Sequence, residues 1–516
     1  MNYNTNRTES AIKNTIFGVF NKFITILLPF ITRTVIIYFI GIEYAGLNSL
    51  FSSILQVLNL AELGISSAVV FCMYKPMAEN DTETLCSLLY FIKRIYYIIG
   101  CIVLIVGITI IPFLSILVKG EIPNGLNMGI LYIIYLINTV VGYFFFAYKS
   151  TLLYAGQKVG FLSNINSIIL LIQNILQIVG LIVTKNYYMY LILMPIFTVL
   201  NNILVAVIVK KEYPDIVCKG KLKSENKKII IMKIKGLFIS KICVTSRNAF
   251  DSIFISSYIG LTTLAIYGNY MYIMYAILGI LGVITTAITA GVGNSIVTES
   301  VHKNYNDLRK FNFIFNWISG FCTCCIFTMI QPFMILWMGN NSLFPLSMVI
   351  LICTYFYFLN IGSIRAVYHD AAGLWWEARF RAVFEAVLNL ILNFMLTKSF
   401  GVFGTILGTL ISLILVNYCY GTQIVFKYYF KGINPKQYFL DNFLYGITTL
   451  VGCIVTYYII NLFHVGNVVK LIMALGASIF VFNTIYFICF FKTSIFKESL
   501  YIFKRISLHK SMNNKK

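Results

Sequence analysis

Charge is what this 516-residue sequence holds least of. Asp, Glu, Lys and Arg make up 11% of it, against about 25% in a soluble domain. The shortage falls on the acids, 18 against 40 basic residues. Histidine is scarcer still: His302, His369, His464 and His509 are scattered and show no metal-site spacing. A phosphate loop of the G-x-x-x-x-G-K type is missing, which excludes an ATP motor on this chain. The twelve cysteines fall in apolar runs or in segments read below as cytoplasmic, so no disulfide framework is implied. Cys322, Cys324 and Cys325 sit inside one apolar run, where a thiol reads as a small buried hydrophobe. Together these shortages exclude a soluble enzyme, a DNA-binding protein and a secreted disulfide scaffold.

What is present is apolar. Hydrophobic residues make up 59% of the chain, and stretches such as Gly100–Val118, Ile130–Tyr148 and Val159–Thr184 carry almost no charge. About 20 helical residues cross the hydrocarbon layer of a bilayer. These runs are too long, and too apolar on most faces, for the alternating strands of a membrane barrel. The expected fold class is therefore an all-α integral membrane protein of about fourteen transmembrane helices, the first starting near Asn14. Ile12–Ile40 reads as a retained span and not a signal peptide, because no small-residue cleavage site follows it.

Basic residues orient the bundle. With the N-terminus inside, 32 of the 40 Lys and Arg fall in cytoplasmic segments, and outside loops hold only Lys119, Lys185, Lys398 and Lys470. Cationic loops resist translocation, so both termini are expected in the cytoplasm. The external loops are too short for a catalytic domain, and no enzyme activity is expected. The longest loop, Lys210–Lys235, is basic and divides the chain. Expected domains are an N-terminal six-helix lobe (1–210), a basic linker (211–236), a C-terminal six-helix lobe (237–426), and an extra helix pair with a basic tail (427–516). The lobes echo each other: Tyr38-Phe39-Ile40-Gly41 before Gly46 matches Tyr258-Ile259-Gly260 before Gly268, and Lys149 before Ala155-Gly156 matches Arg365 before Ala372-Gly373. An even number of spans per lobe makes the repeat parallel, with a substrate site expected between the lobes. No counterpart exists for the last pair, about 441–463 and 468–491, and the sequence does not place it.

Polar side chains at membrane depth mark faces that avoid lipid. Ser49, Ser52, Gln56, Asn59, Glu62 and Ser66 recur at helical spacing in the second span. Ser163, Asn166, Ser167, Gln173, Asn174 and Gln177 do so in the fifth, and Glu385, Asn389 and Asn393 in the eleventh. Each stripe alone reads equally as hydrogen-bonding glue between helices. Three together favour a hydrated cavity suited to a sugar cargo. Arg33 cannot shed its proton, so it must meet a cavity, a counter-ion or an anionic ligand. Arg247 and Asp251, at i and i+4, form a self-neutralising pair or open onto the same cavity. Lys149 and Arg365 either snorkel or form an anion clamp at the inner mouth. Glu62 stays protonated, pairs with a cation, or binds H⁺ or Na⁺. No other cofactor is expected.

The opening stretch carries Ile40-Gly41, Tyr44-Ala45-Gly46-Leu47, Asn59-Leu60-Ala61-Glu62-Leu63-Gly64 and Tyr74-Lys75-Pro76, and Ala155-Gly156-Gln157 follows the fourth span. This ensemble resembles bacterial polysaccharide-biosynthesis flippases, the Wzx-like branch of the multidrug/oligosaccharidyl-lipid/polysaccharide exporter superfamily. The resemblance implies a transporter in the bacterial cytoplasmic membrane that moves undecaprenyl-diphosphate-linked oligosaccharide between leaflets for surface polysaccharide synthesis. It implies alternating access, ion-gradient coupling, and contact with membrane lipids and other assembly proteins. On this chain, cavity cations would be Arg33, Arg247, Lys149 and Arg365. The polar lining would include Gln56, Asn59, Asn166, Asn174 and Asn389, and ion coupling would fall to Glu62 or Asp251. Two other classes compete: a multidrug/cation antiporter of the same superfamily, which would favour cavity acids, and a membrane glycan polymerase or ligase, which would need a large external loop.

Overall fold

A computed structural model describes residues 24–500 apart from 63, 64, 121, 124, 157, 221, 223–229, 231–244 and 246–248. Among the described residues the chain is helical, with no strand. Nine helices among the described residues are long and apolar enough to cross a membrane, or ten with a bent pair counted as one span. The protein is thus a multi-pass membrane protein. The first and seventh expected spans lie partly among residues that are not described, and fourteen is not reached among those that are. Packing divides the chain into two compact units, Met1–Ala265 and Ile266–Lys516.

The first unit begins with α1 (Ile24–Phe39) and α2 (Ile42–Leu58), which runs through a 3-10 turn at Asn59–Glu62 before α3 (Ile65–Ala78). The second expected span is therefore broken at its most polar point. A three-residue link joins α3 to α4 (Thr82–Ile110); the Asp81 carboxylate caps α4 by accepting from the Thr84 amide at 3.0 Å. Next come α5 (Met128–Phe144) and the short α6 (Ser150–Ala155), with a 47° bend between them. Helices α7 (Val159–Thr184), α8 (Tyr187–Glu212) and α9 (residues 249–258) complete the unit.

One of the sequence echoes has a backbone counterpart here. Gly41 ends α1 at φ 137° and Gly260 follows α9 at φ 132°. Each amide reaches back five residues, Gly41 to the Ile36 carbonyl at 3.1 Å and Gly260 to the Ile255 carbonyl at 3.0 Å. Only glycine takes this positive-φ conformation freely, which is why both echoes end on it. Gly46 is needed for another reason: a Cβ there would lie 2.3 Å from the Leu261 carbonyl oxygen.

The second unit takes in most of α10 (Leu261–Thr298), then α11 (Val301–Met338), α12 (Leu346–Ile361) and α13 (Ser363–Ala371). Next is α14 (Arg379–Ser412), interrupted at Gly401, where φ 60° and ψ −141° reverse the chain into a hairpin. The two limbs touch because Gly404 lacks a side chain; a Cβ there would sit 2.0 Å from the Leu396 carbonyl oxygen. A π-helical segment, Leu413–Tyr420, leads to α15 (Gly421–Tyr428), then α16 (Lys436–Asn461), α17 (Asn467–Ala477) and α18 (Asn483–Phe490).

The extra pair packs on α11. Asn442 of α16 accepts from Asn312 at 3.0 Å and from Asn316 at 3.1 Å, and the Tyr357 hydroxyl donates to Asn316 Oδ1 at 3.2 Å. Arg309 Nε reaches Asp441 at 2.9 Å, and the Trp317 indole donates to Asn483 at 2.8 Å. Around these bonds Phe313, Tyr445, Phe482, Tyr486 and Phe490 form a buried aromatic cluster. Gly320 and Gly452 make room for it, since a Cβ on either would fall within 3 Å of the Phe482 ring.

Candidate functional site

In the first unit the polar side chains of α1, α2, α5, α7 and α8 converge. Arg33, half-buried on α1, donates through Nη1 to Ser49 Oγ at 3.3 Å and through Nη2 to the Ala265 carbonyl at 3.0 Å. Those bonds orient a permanent positive charge on an otherwise apolar helix. The charge acts on Tyr187 and Tyr190, whose rings stack at 5.6 Å. Beside Arg33, the Thr32 hydroxyl donates to Asn174 Oδ1 at 2.6 Å. Tyr135 donates to Asn48 at 2.8 Å and lies 3.1 Å from the Tyr187 hydroxyl.

The amide stripes separate into two kinds. Gln56 and Asn166 are exposed on their helices, while Asn174 is buried, bonded to Thr32 and to the Leu170 carbonyl. In the second unit Asn389 is likewise buried, donating to Thr409 at 2.9 Å across the α14 hairpin beside Asn393 and a Thr397–Thr405 contact of 2.8 Å. Asn174 and Asn389 therefore join helices instead of lining open space, a correction to the expected lining. The physical reason is that an amide at depth satisfies both its donor and acceptor most cheaply on a neighbouring helix.

Glu62 closes the 3-10 turn after α2, half-buried. Tyr96 of α4 donates to its Oε1 at 2.9 Å; the Tyr143 hydroxyl of α5 lies 2.9 Å from its Oε2 and also 2.9 Å from Asn59 Oδ1. Asn59 thus belongs to the carboxyl's own setting. The Tyr96 and Tyr143 rings meet edge-on at 5.7 Å. Neither tyrosine carries a signal in the sequence, since both sit among many aromatic residues in apolar runs.

The expected inner clamp does not hold together as a matched pair. Lys149, just before α6, is half-buried, with its ammonium 5.1 Å from the Phe146 ring. Arg365, on α13, is only 5% exposed. Its Nη1 donates to the Asn417 carbonyl at 2.5 Å and its Nη2 to the Asn417 side-chain oxygen at 3.1 Å. Asn417 in turn donates to Glu385 at 3.0 Å, and Arg381 pairs with the same carboxylate at 3.0 Å. Arg365 is thereby a buried structural cation, held in place because an unpaired guanidinium in a low-dielectric interior is costly. Glu385, expected only as part of a stripe, is its indirect counter-charge. Asp251 is buried on α9, 2% exposed; Arg247, its expected partner, lies outside the described residues. No cluster of three or more His, Cys, Asp or Glu able to hold a metal occurs among the described residues.

Two units of long apolar helices, with a broken second span and a hairpin at the eleventh, define a class. The fold is similar to that of solved multi-pass membrane transporters. In particular, the chain is similar to the lipid II flippase MurJ in an inward closed conformation, with TM-score 0.66 and 17% identity over 92% of this chain and 98% of that one. It is also similar to an inward-facing multidrug resistance MATE family transporter, with TM-score 0.58 and 14% identity over 77% of this chain and 94% of that one. A mutant of the Vibrio cholerae MATE transporter VcmN gives TM-score 0.54 and 11% identity over 82% and 97%. No family model matches the sequence, and no curated protein is similar to it.

Proposed function

We propose that the protein is a flippase that carries an undecaprenyl-diphosphate-linked oligosaccharide across the cytoplasmic membrane by alternating access, for surface polysaccharide assembly. The observation that carries this reading is the oriented guanidinium of Arg33 within α1. A diphosphate offers several anionic oxygens, and a guanidinium binds such oxygens with charge-assisted hydrogen bonds. The opening motifs around α1 to α3 and the fold shared with a lipid II flippase support the same cargo class. Arg247 and Lys149 are further contacts to the diphosphate in this proposal, and the exposed Gln56 and Asn166 offer amides to sugar hydroxyls. In this proposal both termini lie in the cytoplasm, a reading supported by the distribution of basic residues.

The fold is shared with multidrug transporters as well, so the test must read cargo. Losing a charge-assisted bond costs about 1.5–3 kcal/mol, or about 10- to 100-fold in affinity. Arg33→Ala is therefore expected to reduce glycan export by about tenfold or more while membrane abundance stays unchanged by immunoblot. Full export by an abundant Arg33→Ala variant would contradict the role given to Arg33.

A further inference from the structure

We propose that the turn between α13 and α14 binds the headgroup of a zwitterionic aminophospholipid, with Arg379 on the phosphate and Asp370 on the ammonium. Neither residue takes part in the cargo site above. Helix α13 ends at Ala371, and Gly373, at φ 69°, turns the chain. Buried Leu374 pins this turn and leaves Trp375 and Trp376 exposed beside the start of α14. The Arg379 guanidinium is held there. Its Nη1 donates to the Trp376 carbonyl at 2.6 Å, and its central carbon lies 4.3 Å from the centre of the Trp376 ring and 4.6 Å from that of Phe380. Aromatic rings attract a guanidinium without neutralising it. No acid pairs with Arg379 among the described residues. Its positive charge is therefore available to a phosphate, which a guanidinium binds with charge-assisted hydrogen bonds.

A carboxylate belongs to the same turn. The Trp375 indole donates to Asp370 Oδ1 at 3.2 Å, and His369 Nδ1 lies 2.8 Å from that oxygen. Both contacts fall on Oδ1, which leaves Oδ2 for a further donor, and the Asp370 side chain is 56% exposed. Local charge then selects the ligand. Asp370 and Glu377 are acidic and Arg379 is basic, while Arg381 and Glu385 neutralise each other at 3.0 Å. A surplus of negative charge disfavours a headgroup that is only anionic. A phosphate that carries its own ammonium matches both signs. That ammonium also donates hydrogen bonds to a carboxylate, for which a trimethylated choline lacks the hydrogens. Position supplies the lipid. Phe380, Val383, Phe384 and Val387 are exposed on α14, and their spacing puts them on one face of the helix. An apolar face of this kind meets acyl chains, and the turn lies at its end, where tryptophans take the headgroup level. Interfacial anchoring accounts for the two tryptophans alone; the arginine without an acid and the half-used carboxylate beside them add recognition.

The test is native mass spectrometry of the purified full chain in detergent, titrated with phosphatidylethanolamine, phosphatidylcholine and phosphatidylglycerol of the same acyl chains. The wild type is expected to retain the ethanolamine lipid over both others. An ion pair at an exposed site is worth about two- to fivefold in affinity, and the preference is expected on that scale. Asp370→Asn is expected to bring the ethanolamine lipid down to the level of the choline lipid. Arg379→Gln is expected to weaken both alike, since both carry the phosphate. Lys398→Gln, at the other end of the first limb of α14, is the control and is expected to change neither. Equal retention of ethanolamine and choline lipids by the wild type overturns the proposal. So does a preference for phosphatidylglycerol, which would make the turn a site for anionic lipid. An unchanged preference in folded Asp370→Asn overturns the role of Asp370. Fluorescence reads the same site without a variant, because two of the four tryptophans lie in this turn. In nanodiscs, phosphatidylethanolamine brominated near the glycerol end of its chains is expected to quench them more than phosphatidylcholine brominated in the same way. Equal quenching contradicts the proposal, and this arm decides alone if the variants do not fold.

Discussion

Arg365 shows how this chain manages a cation it has buried. The guanidinium is held by both oxygens of Asn417, and Glu385 lies one bond further on. Space for it comes from Gly421, where a Cβ would lie 2.2 Å from Nη1. Gly421→Ala is expected to push the guanidinium off Asn417 and destabilise the protein by about 2–3 kcal/mol, the worth of hydrogen bonds to a buried charge. Thermal unfolding in detergent measures this, with Gly282→Ala as the control, since nothing lies within 4 Å of a Cβ there. At that control site alanine is expected to be neutral or slightly stabilising. An equal loss at both positions would show that helix disruption, not Arg365, sets the cost. Arg365 was visible in the sequence as a charge in an apolar setting, but its partner was not. Asn417 sits in a π-helical segment whose register no apolar periodicity reveals, so the matching of Arg365 with Lys149 from spacing alone gave two residues of different fate.

At the scale of elements, most helices could be read from apolar run length, because a span must satisfy its own backbone bonds and bury little polar surface. The breaks within spans were less legible. The 3-10 turn after α2 contains no proline among Asn59–Glu62, and its signal was the polar run Asn59 to Glu62, which looked like a continuous stripe. The reversal at Gly401 was legible, because Lys398 beside it reads as part of a loop between spans. The amides divided by whether a partner helix was within reach, which spacing cannot tell; Asn174 and Asn389 found one, Gln56 and Asn166 stay exposed. The placement of the last helix pair was illegible for the same reason. Asn442 now explains it, bridging Asn312 and Asn316 of α11. Asn442→Leu is expected to cost about 1–2 kcal/mol, as interhelical polar bonds in membranes do. Loss of the pair's protection from cysteine labelling on α16 at lower temperature than the wild type would register it. Unchanged labelling and unchanged melting would assign the anchoring to the aromatic cluster instead.

At the scale of the molecule, the scarcity of charge fits the long apolar helices that make this an integral membrane protein. Fold similarity to a lipid flippase and to multidrug transporters leaves cargo as the question on which the whole account turns. The most direct measurement reconstitutes the purified chain in liposomes and follows leaflet exchange of a labelled undecaprenyl-diphosphate glycan beside efflux of a cationic dye. The account predicts accelerated glycan exchange, lost in Arg33→Ala, with dye efflux no faster than from empty liposomes. Dye efflux with no glycan exchange by the folded protein would contradict it.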